Sequence, residues 1–153
     1  GQESVWDYPR SPELVADERR VIVRCGNTLL ADTRSSFRLL QTGIPPTFYL
    51  PPHDVARQLL RRATGASMCE WTGRATYWTV HVLGSVIERV AWSYKRPFPD
   101  FEAIAGYFAF HPSRLECTVD GEPVRAQAGD AHGGWITPEV VGPFKGDPGT
   151  GGW

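Results

Sequence analysis

A chain of 153 residues, 41% of them hydrophobic, is long enough for one domain with a modest core and too short for two. Its 16 Lys and Arg against 17 Asp and Glu leave a net charge of −1, which argues against the basic excess of a general nucleic-acid or membrane-surface binder. No apolar run approaches the roughly 18 residues of a membrane span, the N-terminus lacks the layout of a secretory signal, and Cys25, Cys69 and Cys117 are too widely spaced for a disulfide framework or a four-thiolate zinc site, so a cytoplasmic protein with buried, reduced thiols is expected.

The 13 prolines and 16 glycines predict many turns and few long helices. Residues 2–18 are polar and proline-punctuated, and read as an N-terminal arm pinned to the body by Trp6 and Tyr8. Residues 20–33 have the pattern of a hairpin, RVIVRC and TLLADT around Gly26-Asn27. A strand over 37–40 follows, then another over 44–50. Pro45, Pro46, Pro51 and Pro52 confine the latter to an edge or to sheet ends, because proline has no N–H for a central ladder. HDVARQLLRR, 53–62, carries the one helical pattern, with Asp54 as N-cap and Val55, Leu59 and Leu60 as its apolar stripe. Arg57, Arg61 and Arg62 lie on or near its outer side, as a solvated basic face or an anion contact.

The densest aromatic stretch is 69–94, CEWTGRATYWTVHVLGSVIERVAWSY. Gly84-Ser85 between runs of β-branched and aromatic residues suits a two-residue turn with Gly at its first central position. That register places His81 opposite Glu88, Thr79 opposite Val90 and Tyr77 opposite Trp92 on one face, with Trp78, Val80, Val82, Ile87, Arg89 and Ala91 on the other. The first face, with Tyr94, has the composition of a small-molecule pocket wall: flat apolar area and a few polar groups. The same residues also suit an ordinary core beside an exposed His-Glu pair.

Beyond it, Pro97 and Pro99 break the strand, 100–104 offers at most one helical turn, and 107–110 resumes as a strand closed by His111-Pro112. Residues 115–126 form a hairpin around Asp120-Gly121. The tail, 127–153, is too rich in Gly and Pro for regular structure, yet Trp135, Phe144 and Trp153 are expected to dock it on the body. A weak internal echo relates VRCGNTLLADT to VHVLGSVIERV, and IPPTFYLPP to IAGYFAFHP. The expected architecture is therefore a single, mainly β domain over 1–153. It has two antiparallel sheets, each a hairpin plus a strand, with a cleft between them, one short helix and an irregular C-terminal tail.

ESVWDYPR, CEWTGRATYW, AWSY, IAGYFAFHP and GGWITPEVVGPFKGDPGTGGW together resemble the bacterial and fungal domain-of-unknown-function family number 427, across essentially the whole chain. The resemblance implies a mostly β body of the tent-like class shared with methionine sulfoxide reductase B and the thalidomide-binding domain of cereblon, in which a ligand sits between two sheets against aromatic side chains. One label attached to the family suggests nucleotidyl transfer, but the chain has no Gly-rich phosphate loop and no close pair of aspartates for Mg²⁺. The sequence departs from the family pattern at Glu70 and Thr72, where Pro and Lys are expected, and at Gln41, where Glu is expected. The paired cysteines of metal-binding tent-fold relatives are also missing, so neither a metal nor a cofactor is expected.

Proton transfer needs titratable groups within reach of a substrate. His81 oriented by Glu88, with Tyr77 beside them, is the candidate catalytic set. Trp71, Arg74, Trp92, Tyr94 and Glu102 are the candidate substrate contacts, Arg74 by its bidentate fork. The four histidines, at 53, 81, 111 and 132, are too scattered to name a metal site. The expected function is that of a small-molecule-binding β domain acting as a cofactor-independent acid-base enzyme (isomerisation, cyclisation, elimination or hydrolysis). The alternative is a non-catalytic ligand- or peptide-binding module. The expected partner is a small molecule rather than nucleic acid or membrane, with a homodimer left open.

Overall fold

From Glu13 onward, β-branched and aromatic residues alternate with polar ones, and the chain pleats accordingly. The computed structural model describes residues 1–128 and 133–145. Its strands are β1 (Glu3–Ser4), β2 (Glu13–Asp17), β3 (Val21–Cys25), β4 (Thr28–Thr33), β5 (Ser36–Gln41), β6 (Ile44–Tyr49), β7 (Leu60–Cys69), β8 (Gly73–Val82), β9 (Ser85–Ser93), β10 (Phe108–Phe110), β11 (Glu116–Val119), β12 (Glu122–Pro123), β13 (Arg125–Ala126), β14 (Trp135–Ile136) and β15 (Val140–Val141). The fold is mainly β, as expected, but its body is divided among three antiparallel sheets rather than two: β10-β9-β8-β7, β12-β11-β3-β4 and β2-β5-β6. Short pairs β1-β15 and β13-β14 complete it. Among the described residues, no helix is long and apolar enough to cross a membrane.

The echo segments do meet. Leu50 and Phe108 exchange backbone hydrogen bonds of 2.8 and 2.9 Å, which joins the end of β6 to β10. Only the second repeat keeps its hairpin and third strand in one sheet; in the first, β3-β4 and β6 part company. β6 lies at a sheet edge, where its prolines cost no ladder bond.

The predicted helix over 53–62 does not form. Residues Pro52–Asp54 and Arg57–Leu59 are single 3₁₀ turns, and β7 begins at Leu60. The segment's hydrogen-bonding groups are taken by neighbours: Asp54 accepts from the Thr33 hydroxyl at 2.7 Å instead of capping, and Ala56 N–H donates to the Leu30 carbonyl at 2.8 Å. Leu60 pairs opposite Val80, so the apolar stripe read as helical is spent on a sheet.

The hairpin β8-β9 also differs near its tip. The turn closes on Val82 and Ser85, which puts His81 opposite Val86 rather than Glu88. Gly84, at φ +80°, supplies the left-handed conformation from the second central position, with Leu83 at the exposed apex. The offset is absorbed opposite Thr79, where Glu88, Arg89 and Val90 bulge and Arg89 adopts φ 51°. Past the bulge the expected register returns, with Tyr77 opposite Trp92 and Trp78 opposite Ala91.

Strand alternation then feeds two clusters. Phe48, Trp78, Ala91 and Phe110 face the larger core with Val21, Val23, Leu30, Leu50, Val80 and Trp135. Their chain neighbours Tyr49, Tyr77, Trp92 and Ala109 face a smaller one with Tyr94, Phe101 and Ile104. In the described part of the tail Trp135 and Phe144 are both buried, and β14 and β15 give it more regular structure than its composition predicts. Trp153 lies outside the described residues.

The N-terminal arm is only partly an arm, since β2 is the edge strand of a sheet. Tyr8 packs against Val5 and donates to Glu3 at 2.8 Å, while Trp6 donates its indole N–H to the Pro143 carbonyl at 2.9 Å. A charged clasp holds arm, sheet and tail together. Arg19 bonds both Asp17 and Glu139, and Arg38 bonds Glu3 at 2.8 Å. Arg38 Nε lies 3.2 Å from Asp17 Oδ2, outside hydrogen-bond alignment.

The Arg38 hydrogen bond holds Glu3 below its ordinary pKa. For Asp17 and Glu139, burial pushes upward but is outweighed, by hydrogen bonds from Arg19 to Asp17 and by backbone and Arg19 bonds to Glu139. Depressed carboxylates stabilise the fold above their unfolded pKa, about 4, and that stability is lost as pH falls through the lower folded values. Urea midpoints are therefore expected to drop steadily from about pH 4 to pH 2, and Arg38→Met to flatten the slope. A midpoint indifferent to pH across this window would remove the clasp from the account of stability.

Candidate functional site

Because Tyr77 and Trp92 point one way and Thr76, Trp78 and Ser93 the other, the β8-β9 ribbon has a cavity on each face. The first, of about 240 Å³, is lined by Leu39, Thr47, Tyr49, Cys69, Thr72, Tyr77, Trp92, Tyr94, His111 and Gly133. The second, of about 370 Å³, is lined mainly by apolar groups and long cationic side chains. The smaller one holds the chemistry: phenols, a threonine hydroxyl, a thiol and an imidazole.

Each wall has a distinct origin. β6 contributes Tyr49 by alternation with Phe48, and β8 and β9 contribute Tyr77 and Trp92 as a cross-strand pair. Thr72 sits in the turn between β7 and β8, where its carbonyl accepts from Phe98 N–H at 2.9 Å. His111, just after β10, lays its ring 4.8 Å from that of Trp92. Gly133, on the tail, closes the wall against the Trp92 indole with no room for a side chain.

Trp92 donates its indole N–H to the Tyr49 hydroxyl at 3.4 Å, and the Tyr49 and Tyr94 ring centres are 6.2 Å apart. The Tyr77 hydroxyl shares a 2.6 Å hydrogen bond with Ser67, and the Arg89 guanidinium stands 4.3 Å over the Tyr77 ring. Burial pushes the Tyr49 phenol well above its ordinary pKa, and burial likewise raises Tyr94. Both phenols therefore keep their protons well beyond the physiological range, which leaves each a hydroxyl proton to offer a ligand rather than a phenolate base. Thr72, 1% exposed, has no hydrogen-bond partner for its hydroxyl, although that hydroxyl is near enough to Tyr94 to favour the phenolate. An orphaned buried hydroxyl of this kind costs about 1–3 kcal/mol.

Of the residues expected at the site, Tyr77, Trp92 and Tyr94 line this cavity. His81 and Glu88 do not. They border a separate shallow depression of about 340 Å³ with Arg61, Arg62 and Arg89, and are not hydrogen-bonded to each other, because the turn and bulge broke their expected pairing. Trp71, Arg74 and Glu102 are exposed and line neither cavity. Thr72 and Gln41, both departures from the expected family pattern, do not converge: Gln41 lies beside Trp6 and Lys145.

Tyr49, Thr72, Cys69, His111 and Gly133 were not anticipated at the site, although Tyr49 and His111 fall within the two echo segments. Among the described residues, no three His, Cys, Asp or Glu side chains converge as a metal-binding group. His132 lies outside the described residues.

No curated protein matches the chain. A family described as a domain of unknown function (DUF427) matches residues 13–121, a span that contains every strand of the three body sheets except β12 and every cavity-lining residue except Gly133. With more than half its length covered, the chain belongs to the DUF427 family.

Proposed function

We propose that the protein binds a compact, flat small molecule carrying oxygen acceptors in the cavity between Tyr49, Tyr94 and Trp92. The observation that carries this reading is the orphaned Thr72 hydroxyl beside buried phenols that stay protonated, in a cavity with aromatic walls. A ligand carbonyl would satisfy Thr72 and recover its desolvation cost. The volume, about 240 Å³, falls below the roughly 300–1,000 Å³ of drug-sized sites, which selects a small ring.

Titrating ¹⁵N-labelled protein with phthalimide and benzamide tests this. Saturable shifts of the Trp92 indole N–H are expected, with affinity reduced about threefold to tenfold in Thr72→Val, the loss of one neutral hydrogen bond. Unchanged spectra at millimolar probe, or equal affinity in the variant, would count against the site.

A second reading, cofactor-independent acid-base catalysis, is favoured by His111, whose ring meets Trp92 at the cavity wall while His81 and Glu88 stand elsewhere. Under it, His111 moves the proton and Tyr94 donates to the developing oxyanion. Turnover of a bound ligand that disappears in His111→Gln while binding persists would separate the enzyme from the binding module.

A further inference from the structure

The larger cavity, on the face of the β8-β9 ribbon away from Tyr77 and Trp92, takes no part in that function. Its walls include Leu60, Trp78 and Phe108, and Arg57, Arg62 and Lys95 stand around them. The Trp78 indole N–H is committed to Ser93 Oγ at 2.9 Å, and the ring meets Phe108 edge-on with centroids 5.6 Å apart, so the rings present hydrocarbon surface. The three cations are exposed, and none forms an ion pair among the described residues. Among the described residues, no carboxylate lines the cavity.

The cations come from three separate places: a 3₁₀ turn, β7 and the segment after β9. A solvated basic face would be expected along one element. Here the tertiary fold gathers like charges around one apolar opening, where they repel one another until an anion enters. Guanidinium forks grip carboxylate, sulfonate or phosphate oxygens in pairs, and the aromatic walls offer area to a ring. We infer that this cavity binds a small organic anion, its apolar body against Trp78 and Phe108 and its acidic group held by Arg57, Arg62 and Lys95.

Calorimetric titration with 2-naphthoate and its neutral counterpart 2-naphthamide, at low ionic strength, tests the assignment. Naphthoate is expected to bind at least about tenfold more tightly than the amide. Replacing Arg57, Arg62 and Lys95 together by glutamine, all at exposed positions, is expected to erase that preference without unfolding the protein. Trp92→Ala, on the opposite face, is expected to leave naphthoate affinity unchanged. The assignment is overturned if acid and amide bind equally, if neither binds up to its solubility, if the triple variant retains the preference, or if Trp92→Ala abolishes binding and so moves the ligand to the other cavity.

Discussion

Replacing Trp135 by alanine is expected to lower the free energy of unfolding by about 3–5 kcal/mol, the largest effect of any single truncation considered for this chain. Trp135 is fully buried, stacks on Phe48 with centroids 4.8 Å apart and donates its indole N–H to the Phe110 carbonyl at 3.0 Å. Phe48 and Phe110 belong to different sheets, so one side chain from the tail fills the space between β6 and β10. Alanine would leave a void that rigid sheets on both sides cannot collapse to fill. Trp135→Phe keeps most of the stacking but strands the Phe110 carbonyl, and about 1–3 kcal/mol is expected. Urea denaturation of both variants measures the pair. A loss below about 1 kcal/mol for alanine would mean that the tail is dispensable to the core.

The second large effect is on binding. An alanine at Gly133 would set its methyl carbon against the Trp92 indole, overlapping Cη2 and lying 3.0 and 3.1 Å from Cζ3 and Cζ2. A flexible side chain has to yield, and the Trp92 ring is bounded by His111 on one side and the cavity on the other. The ring is expected to move into the cavity, with more than tenfold loss of affinity for phthalimide, at least about 1.4 kcal/mol. The accompanying cost to folding should be only about 1–3 kcal/mol.

Gly134→Ala is the contrasting control. Its methyl carbon would lie 2.8 Å from the Pro45 carbonyl oxygen and 2.7 Å from Gln127 Oε1, and the Pro45 backbone cannot swing away. Stability should therefore fall further at Gly134 while the cavity of the surviving fold still binds. Equal binding by wild type and Gly133→Ala would show that the indole does not shape the site.

Much of the local structure was legible in order along the chain. Gly26-Asn27 and Asp120-Gly121 mark their turns because each supplies residues that tolerate positive φ, and both hairpins form there. Tyr77, Trp92 and Tyr94 share a face because strand alternation is local geometry and survives a bulge that inserts two residues. The His81-Glu88 pairing failed for the complementary reason. Register depends on which residues occupy the turn, and a shift of the apex from Gly84-Ser85 to Leu83-Gly84 displaces every pair up to the bulge.

The helix read into 53–62 failed because its apolar spacing suits either period over so short a run, and the choice fell to Ala31, Leu30 and Val80, residues far away in sequence. The same distance in sequence hid most of the cavity. Tyr49, Thr72, His111 and Gly133 converge only after two sheets, a turn and the tail are packed, and no spacing along the chain encodes that meeting.

By itself, then, the sequence determined the strand-rich class, the main hairpins, the aromatic face of β8-β9 and the anchoring of the tail by large apolar residues, since each of these follows from interactions over a few residues or from composition. Only the tertiary structure decided which phenols lose water, which hydroxyl is left without a partner, and that one ribbon carries different cavities on its two faces. Desolvation and cavity shape depend on what packs against a residue from elsewhere in the chain, and those neighbours exist only once the sheets have closed on one another.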